Sequence, residues 1–249
     1  ALADPIFPGA DAAPVSASFL APHGEVTLLS GSEPAPSASE PAAGNGAGAS
    51  AATTVSTSGN ASIDALLGGT KWTGGSVTYS FPASATDYAV FGSGDDEQNT
   101  GFSALSAQQA NDMRAILEGT ASSGAMSYGS YESFTNIDFI ELTASPGAAS
   151  IRVAISSLAN PTAYAYYPGT SVGSGDIWLG ATYFGTGGTE ANPLAGSYGY
   201  LTLLHEAGHA LGLKHPHENF SATSPTAPTL PADVDSLEFT VMSYRSYVG

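Results

Sequence analysis

The sequence contains no cysteine, which removes disulfide frameworks, thiolate metal sites and cysteine nucleophiles together. Any metal must then be held by His, Asp, Glu or Tyr. Basic residues are almost as scarce, with 5 Lys and Arg against 22 Asp and Glu, a net charge of −17. A chain this acidic is repelled by phosphate backbones and by anionic lipid, which argues against nucleic-acid binding and against adsorption to a membrane surface. No stretch approaches the ~18–20 consecutive apolar residues of a membrane-spanning helix, so membrane insertion is not expected. The chain opens Ala1-Leu2-Ala3-Asp4, without Met or a charged leader, as a trimmed N-terminus would. High acidity, few Lys and no Cys suit a secreted, extracellular protein, free or held at the cell surface, in a calcium-rich medium.

Residues 1 to about 60 are mostly Ala, Ser, Pro, Gly and Thr, hold no Lys or Arg, and carry few large apolar residues. Such a segment cannot bury enough apolar surface to offset its ordering entropy, so it reads as a flexible pro-region or linker. The alternative is a segment lying in extended form across another surface. Residues 61–249 read as one globular domain, within the usual single-domain range. Val77-Thr78-Tyr79-Ser80-Phe81 alternates in β-favouring residues and stops at Pro82, so it is expected to be a strand. The stretch 105–117, opened by Ser103 or Ser106, puts Leu105, Ala110, Met113, Ile116 and Leu117 near one helix face. Stretches 137–142, 150–155 and 176–179 read as further strands, and 200–213 as a second, buried helix. Strands separated by a helix and followed by a long buried helix imply an α+β domain with one mixed sheet. Phe91-Gly92-Ser93-Gly94-Asp95-Asp96-Glu97 has the oxygen-rich make-up of a calcium loop, although an isolated acidic loop is ordinarily solvated.

Four of the five histidines fall between His205 and His217. Residues four apart share a helix face, so His205 and His209 can direct their imidazoles at one ion at ~2.0–2.1 Å. Glu206, one step around the helix, is poorly placed to ligate but well placed to take a proton from a zinc-bound water whose pKa the ion has lowered to ~7. A straight helix rising ~1.5 Å per residue would carry His215 about 15 Å beyond His205. The chain must therefore turn, and Gly212 permits it because glycine adopts the left-handed conformation at a helix end at little steric cost. Pro216 then keeps the helix from resuming. Three neutral imidazoles leave a position open for water, the arrangement of a catalytic rather than a structural zinc.

The pattern His205-Glu206-x-x-His209-x-x-Gly212-x-x-His215, followed by Val241-Met242-Ser243-Tyr244, resembles the metzincin zinc endopeptidases. The flanking strings Gly196-Ser197-Tyr198-Gly199-Tyr200, Lys214-His215-Pro216, Ala163-Tyr164-Ala165-Tyr166-Tyr167-Pro168-Gly169 and Gly175-Asp176-Ile177-Trp178-Leu179 are similar to the serralysin branch of secreted bacterial proteases. The likeness runs from about Ile63 to Tyr247. It implies a metzincin-like fold, with one twisted mixed sheet whose antiparallel edge strand lines the cleft, plus two long helices. It also implies Zn2+ as cofactor and proteins or peptides as substrates. By position, Met242 would form the apolar floor beneath the zinc ligands. Tyr244 would reach the zinc in the resting enzyme and stabilise the oxyanion when substrate binds. Asp176, Ile177, Trp178, Leu179 and Gly180 would be the edge strand to which a peptide adds, with Trp178 fitting either the cleft or the core.

Two departures stand out. The resemblance implies a following domain of calcium-binding glycine-aspartate repeats, yet no such repeat occurs in this chain, so Ca2+ has no assigned residues here. The N-terminal region is also longer than that branch's pro-segments. Without cysteine, latency would need residues 1–60 to shield the cleft, for instance through His23, Asp4 or Asp11. Gly169-Thr170-Ser171-Val172-Gly173 matches a serine-hydrolase motif but lacks the strand before it and the helix after it. A surface-layer or adhesive scaffold that retains a silent protease fold suits the composition, but it has no need of Glu206.

Overall fold

The structure, a computed structural model, describes residues 50–88, 96–119, 129–224 and 226–246. His23, Asp4 and Asp11 lie outside the described residues, as does most of the acidic stretch 91–97. In chain order the elements are strand β1 (Ala52–Thr54), the single turn α1 (Ala61–Asp64), strands β2 (Thr70–Trp72) and β3 (Ser76–Ser80), helix α2 (Ala107–Leu117) and the short α3 (Tyr131–Phe134). Strands β4 (Asp138–Glu141), β5 (Ile151–Ser156), β6 (Ala163–Ala165) and β7 (Ile177–Gly180) follow, then the short α4 (Ala181–Phe184) and helix α5 (Tyr198–Ala210). Five strands form one sheet in the order β4-β3-β5-β7-β6. All of its pairings are parallel except β6 with β7. This is the expected mixed sheet with helices, and its antiparallel strand is at an edge.

That edge is not the one expected. Strand β7 pairs with β5 on one side and β6 on the other, and Asp176, Ile177, Trp178 and Leu179 are all fully buried. With both backbone edges engaged, the stretch from Asp176 to Gly180 has no row of N–H and C=O groups to offer a peptide. The outer strand is Ala163–Ala165, which sequence periodicity missed because three residues are too few to show alternation.

Two packed layers cover the sheet. On one face Ile151, Val153, Ile155, Ile177 and Leu179 meet Met113, Ile116 and Leu117 of α2 and Leu203, Ala207 and Ala210 of α5. On the other face Ala154 and Trp178 pack with Tyr88, Phe102, Tyr164 and Tyr166. Every residue of β5 is buried, as a strand covered on both faces should be. Trp178, open to two readings in the sequence, belongs to the rear layer, its ring 4.6 Å from that of Tyr88.

Local chemistry sets the helix starts. Of the two serines considered for α2, Ser106 caps it: its Oγ accepts from the Gln109 N–H at 3.2 Å while Gln109 Oε1 accepts from the Ser106 N–H at 2.8 Å, a reciprocal capping box. Ser103 instead bridges to Ile155. In α5, Ser197 Oγ accepts from the Tyr200 N–H and Glu190 Oε2 from the Gly199 N–H, which satisfies two of the donors left over at a helix start.

A strap holds the far end of α5. The Gly68 N–H donates to the Gly212 carbonyl at 2.7 Å, the Lys214 N–H to the Leu66 carbonyl at 2.9 Å, and the Trp72 indole N–H to the Ala210 carbonyl at 2.8 Å. Strand β1 pairs antiparallel with β2 in this strap, and the Ser50 N–H donates to Ser150 Oγ at 2.5 Å. The packed body therefore reaches back at least to Ser50, ten residues before the boundary drawn from composition.

Candidate metal centre

Helix α5 carries His205, Glu206 and His209, all buried, ends at Ala210, and is followed by a turn at Gly212, whose φ is +103°. A Cβ at Gly212 would come within 2.2 Å of the Thr70 carbonyl oxygen, so the strap and the left-handed turn both require glycine here. The turn returns His215 beneath the helix. The three Nε2 atoms of His205, His209 and His215 end 3.0–3.1 Å apart.

Each outer ring nitrogen is already committed. His205 Nδ1 lies 2.7 Å from the Val241 carbonyl oxygen, His209 Nδ1 2.7 Å from the Leu213 carbonyl oxygen, and His215 Nδ1 3.0 Å from Glu218 Oε1. These partners accept, which fits a proton on each Nδ1 and turns the three Nε2 atoms towards one point. Three imidazole nitrogens converging at that spacing make a donor set that one cation can share. A zinc ion ~2.0–2.1 Å from each nitrogen suits this donor set. The residues present fit the metal.

Met242 is fully buried beneath this site. Its Sδ would stand 2.5 Å from a Cβ at Gly208, so Gly208 lets the thioether approach the helix. The turn bearing it is fixed by Ser243 Oγ donating to Asp235 Oδ1 at 2.6 Å. The Tyr244 ring stacks on His205 with centroids 5.5 Å apart and lies 4.2 Å from the ring of His215. Glu206 is 5% exposed, too deep to be a solvated surface carboxylate. The fold thus brings His205, Glu206, His209, His215, Met242 and Tyr244 together, and leaves Asp176 to Gly180 within the sheet.

No protein-family model matches the chain. Among curated proteins it is 42% identical over 83 residues to serralysin C of Dickeya chrysanthemi, covering 33% of this chain and 16% of that protein. It is 30% identical over 175 residues to serralysin of Photorhabdus sp. (strain Az29), covering 68% and 32%. It is 29% identical over 175 residues to metallopeptidase AprA of Pseudomonas marginalis, covering 68% and 33%. The chain carries a serralysin-like metalloprotease domain. It spans about a sixth to a third of the length of these relatives.

In this serralysin-like domain the supports of the ligands went unread in the sequence. Glu218 had a visible signal, an acidic residue three positions after the third histidine. Val241 and Leu213 had none, because they act through main-chain carbonyls. Lys214 is another: fully buried, its Nζ donates to the carbonyls of His215, Glu218 and Pro228 at 3.2, 2.6 and 3.0 Å, tying the third ligand's turn to the following loop. His217 and Glu218 form a second grouping with His215. It is a poor second metal site, because the outer nitrogen of His215 is already engaged with Glu218 at 3.0 Å. Ser171 lies in a turn leading to β7 with no helix after it, so the serine-hydrolase motif is coincidental. Among the described residues no helix is long and apolar enough to cross a membrane.

Proposed function

We propose that this domain is a secreted zinc-dependent endopeptidase with Glu206 as general base. The observation that carries the reading is the set of three Nε2 atoms converging 3.0–3.1 Å apart, each ring held by a contact at the opposite nitrogen, with Glu206 between His205 and His209 on the same helix. Zinc bound there would polarise a scissile carbonyl and acidify water. The chain's own residues do the rest. Glu206 takes the proton of the attacking water and delivers it to the leaving amine. Tyr244, beside His205 and His215, donates its hydroxyl hydrogen bond to the developing oxyanion. An extended substrate adds to the outer edge of β6, with which no strand pairs among the described residues, and its main chain is aligned by that edge. The following Tyr167 lies 5.8 Å from the ring of His209, so a peptide on β6 is led towards the ligands.

The test is a digest of an unfolded protein with and without a zinc chelator, read by mass spectrometry, alongside Glu206→Ala. Chelator-sensitive new termini are expected from the parent. The variant should keep its zinc and lose about 10²–10⁴-fold in kcat. A Glu206→Ala protein that cleaves as well as the parent would refute the mechanism, and zinc-loaded parent that cleaves nothing would favour the silent-scaffold alternative.

The same reading makes the region before Ser50 a pro-region that shields the cleft. Removal of residues 1–49 should then speed peptide turnover, and unchanged turnover eliminates shielding. Truncation at residue 60 is the wrong experiment, because it also deletes β1 and uncovers the strap behind His215.

A further inference from the structure

Strand β6 is three residues long and, among the described residues, paired on one side only, a weak foundation for aligning a substrate. Short edge strands fray unless something else holds them. Helix α5 covers the face that bears Ala163 and Ala165. The opposite face bears Tyr164 and, just beyond the strand, Tyr166, two residues apart and so side by side. Both phenols donate to one oxygen, Glu97 Oε1, at 2.9 and 2.5 Å.

Glu97 belongs to the acidic stretch read as a solvated loop, yet it is 1% exposed. It stands in a 3₁₀ turn (Glu97–Asn99) whose carbonyl at Glu97 also accepts from Ser156 Oγ at 2.8 Å, which links it to the end of the central strand β5. Its second carboxylate oxygen, Oε2, has no hydrogen-bond partner among the described residues. A carboxylate buried this way costs stability that an apolar residue would not. What it adds is direction, because one fixed oxygen sets the position of two phenols and hence the height and tilt of the strand between them.

We propose that Glu97 is a positioning residue for the substrate-binding edge, holding β6 from behind so that its outer backbone groups meet an extended peptide. This rests on the endopeptidase reading for its substrate but is tested apart from it. Zinc-loaded protein is given a long peptide that spans β6 and a short one that reaches only the residues beside the scissile bond, and both affinity and turnover are measured. The parent should bind the long peptide the more tightly. Glu97→Leu, and separately Tyr164→Phe with Tyr166→Phe, should cut that preference about tenfold, through KM rather than kcat. Zinc content should be unchanged. Glu97→Gln, which keeps an acceptor oxygen, should restore most of the preference. The paired phenylalanine variant guards against a Glu97→Leu chain that fails to fold.

The proposal is overturned if the long-over-short preference survives in the folded variants, or if the parent shows no such preference. Absence of turnover in the parent would sink the protease reading, while the affinities would still decide the role of Glu97.

Discussion

Two polar assemblies are buried on opposite faces of the same sheet, and they differ in what completes them. On the α5 side, three imidazoles are each braced from outside and converge their Nε2 atoms, a donor set that a cation would complete. On the rear face the charges are completed by one another. Arg152 donates to both carboxylate oxygens of Asp176 at 2.7 Å and to the Val172 carbonyl at 2.7 Å. Its guanidinium also lies over the Tyr88 ring at 4.6 Å. Burial outweighs the opposing guanidinium and leaves the Asp176 carboxyl raised to about 7, while two short parallel bonds from Arg152 favour its charged form. The first assembly is a site and the second a strut.

The sharpest way to break that contrast is to remove one partner on each face and unfold the protein with and without chelator. Arg152→Met strands a carboxylate that is fully buried and should cost about 3–5 kcal/mol. The loss should be the same whether or not zinc is present, read by denaturant titration. A loss that appears only in the zinc-loaded protein would mean that the rear pair serves the metal centre and the contrast is false.

On the other face Glu218→Ala removes the acceptor that fixes the His215 tautomer without touching a ligand. Zinc affinity should fall about 10–100-fold, equivalent to about 1.4–2.7 kcal/mol, measured by competition with a chromophoric chelator. The stability of the metal-free protein should hardly move. Unaltered affinity would show that the Lys214-tied turn alone orients the ring.

The difference between the faces also decides what the sequence could disclose. The candidate ligands His205, His209 and His215 sit on one helix and one turn, so spacing and a single glycine suffice to suggest their grouping. Their supports were not legible where they are main-chain carbonyls, since any residue could supply them. Arg152 and Asp176 lie 24 positions apart, on strands that become neighbours only when the strand order is known. Nothing local marks Asp176 as half of an ion pair, and its strand lies inside the sheet rather than at the edge that the resemblance implied. The apolar periodicity of α2 and α5 survived into the fold because it is local. The boundary at residue 60 did not describe the packed body, because Ala52–Thr54 is held by backbone pairing, which composition does not register.

A smaller effect sharpens the comparison by supplying a buried charge that neither a metal nor a cation completes. Asp112 on α2 is 8% exposed. One carboxylate oxygen accepts from the Gln108 amide at 2.9 Å and the other has no hydrogen-bond partner among the described residues. Burial pushes its carboxyl up to about 6, with the Gln108 bond acting weakly the other way. Between its ordinary value near 4 and about 6 the folded chain therefore holds more protons than the unfolded one. The stabilising contribution is full below pH ~4 and is lost as pH rises through ~6, the reverse of a carboxylate held by an arginine. Asp112→Asn, which mimics the protonated form, should be more stable than the parent by about 1–2 kcal/mol at neutral pH and should lose that advantage below pH ~4. Unfolding free energies of the two metal-free proteins at pH 4 and pH 7 check it. A gap that stays constant across that range would mean that Asp112 keeps its charge in the fold, and that the helix face beside it is wetter than its burial implies.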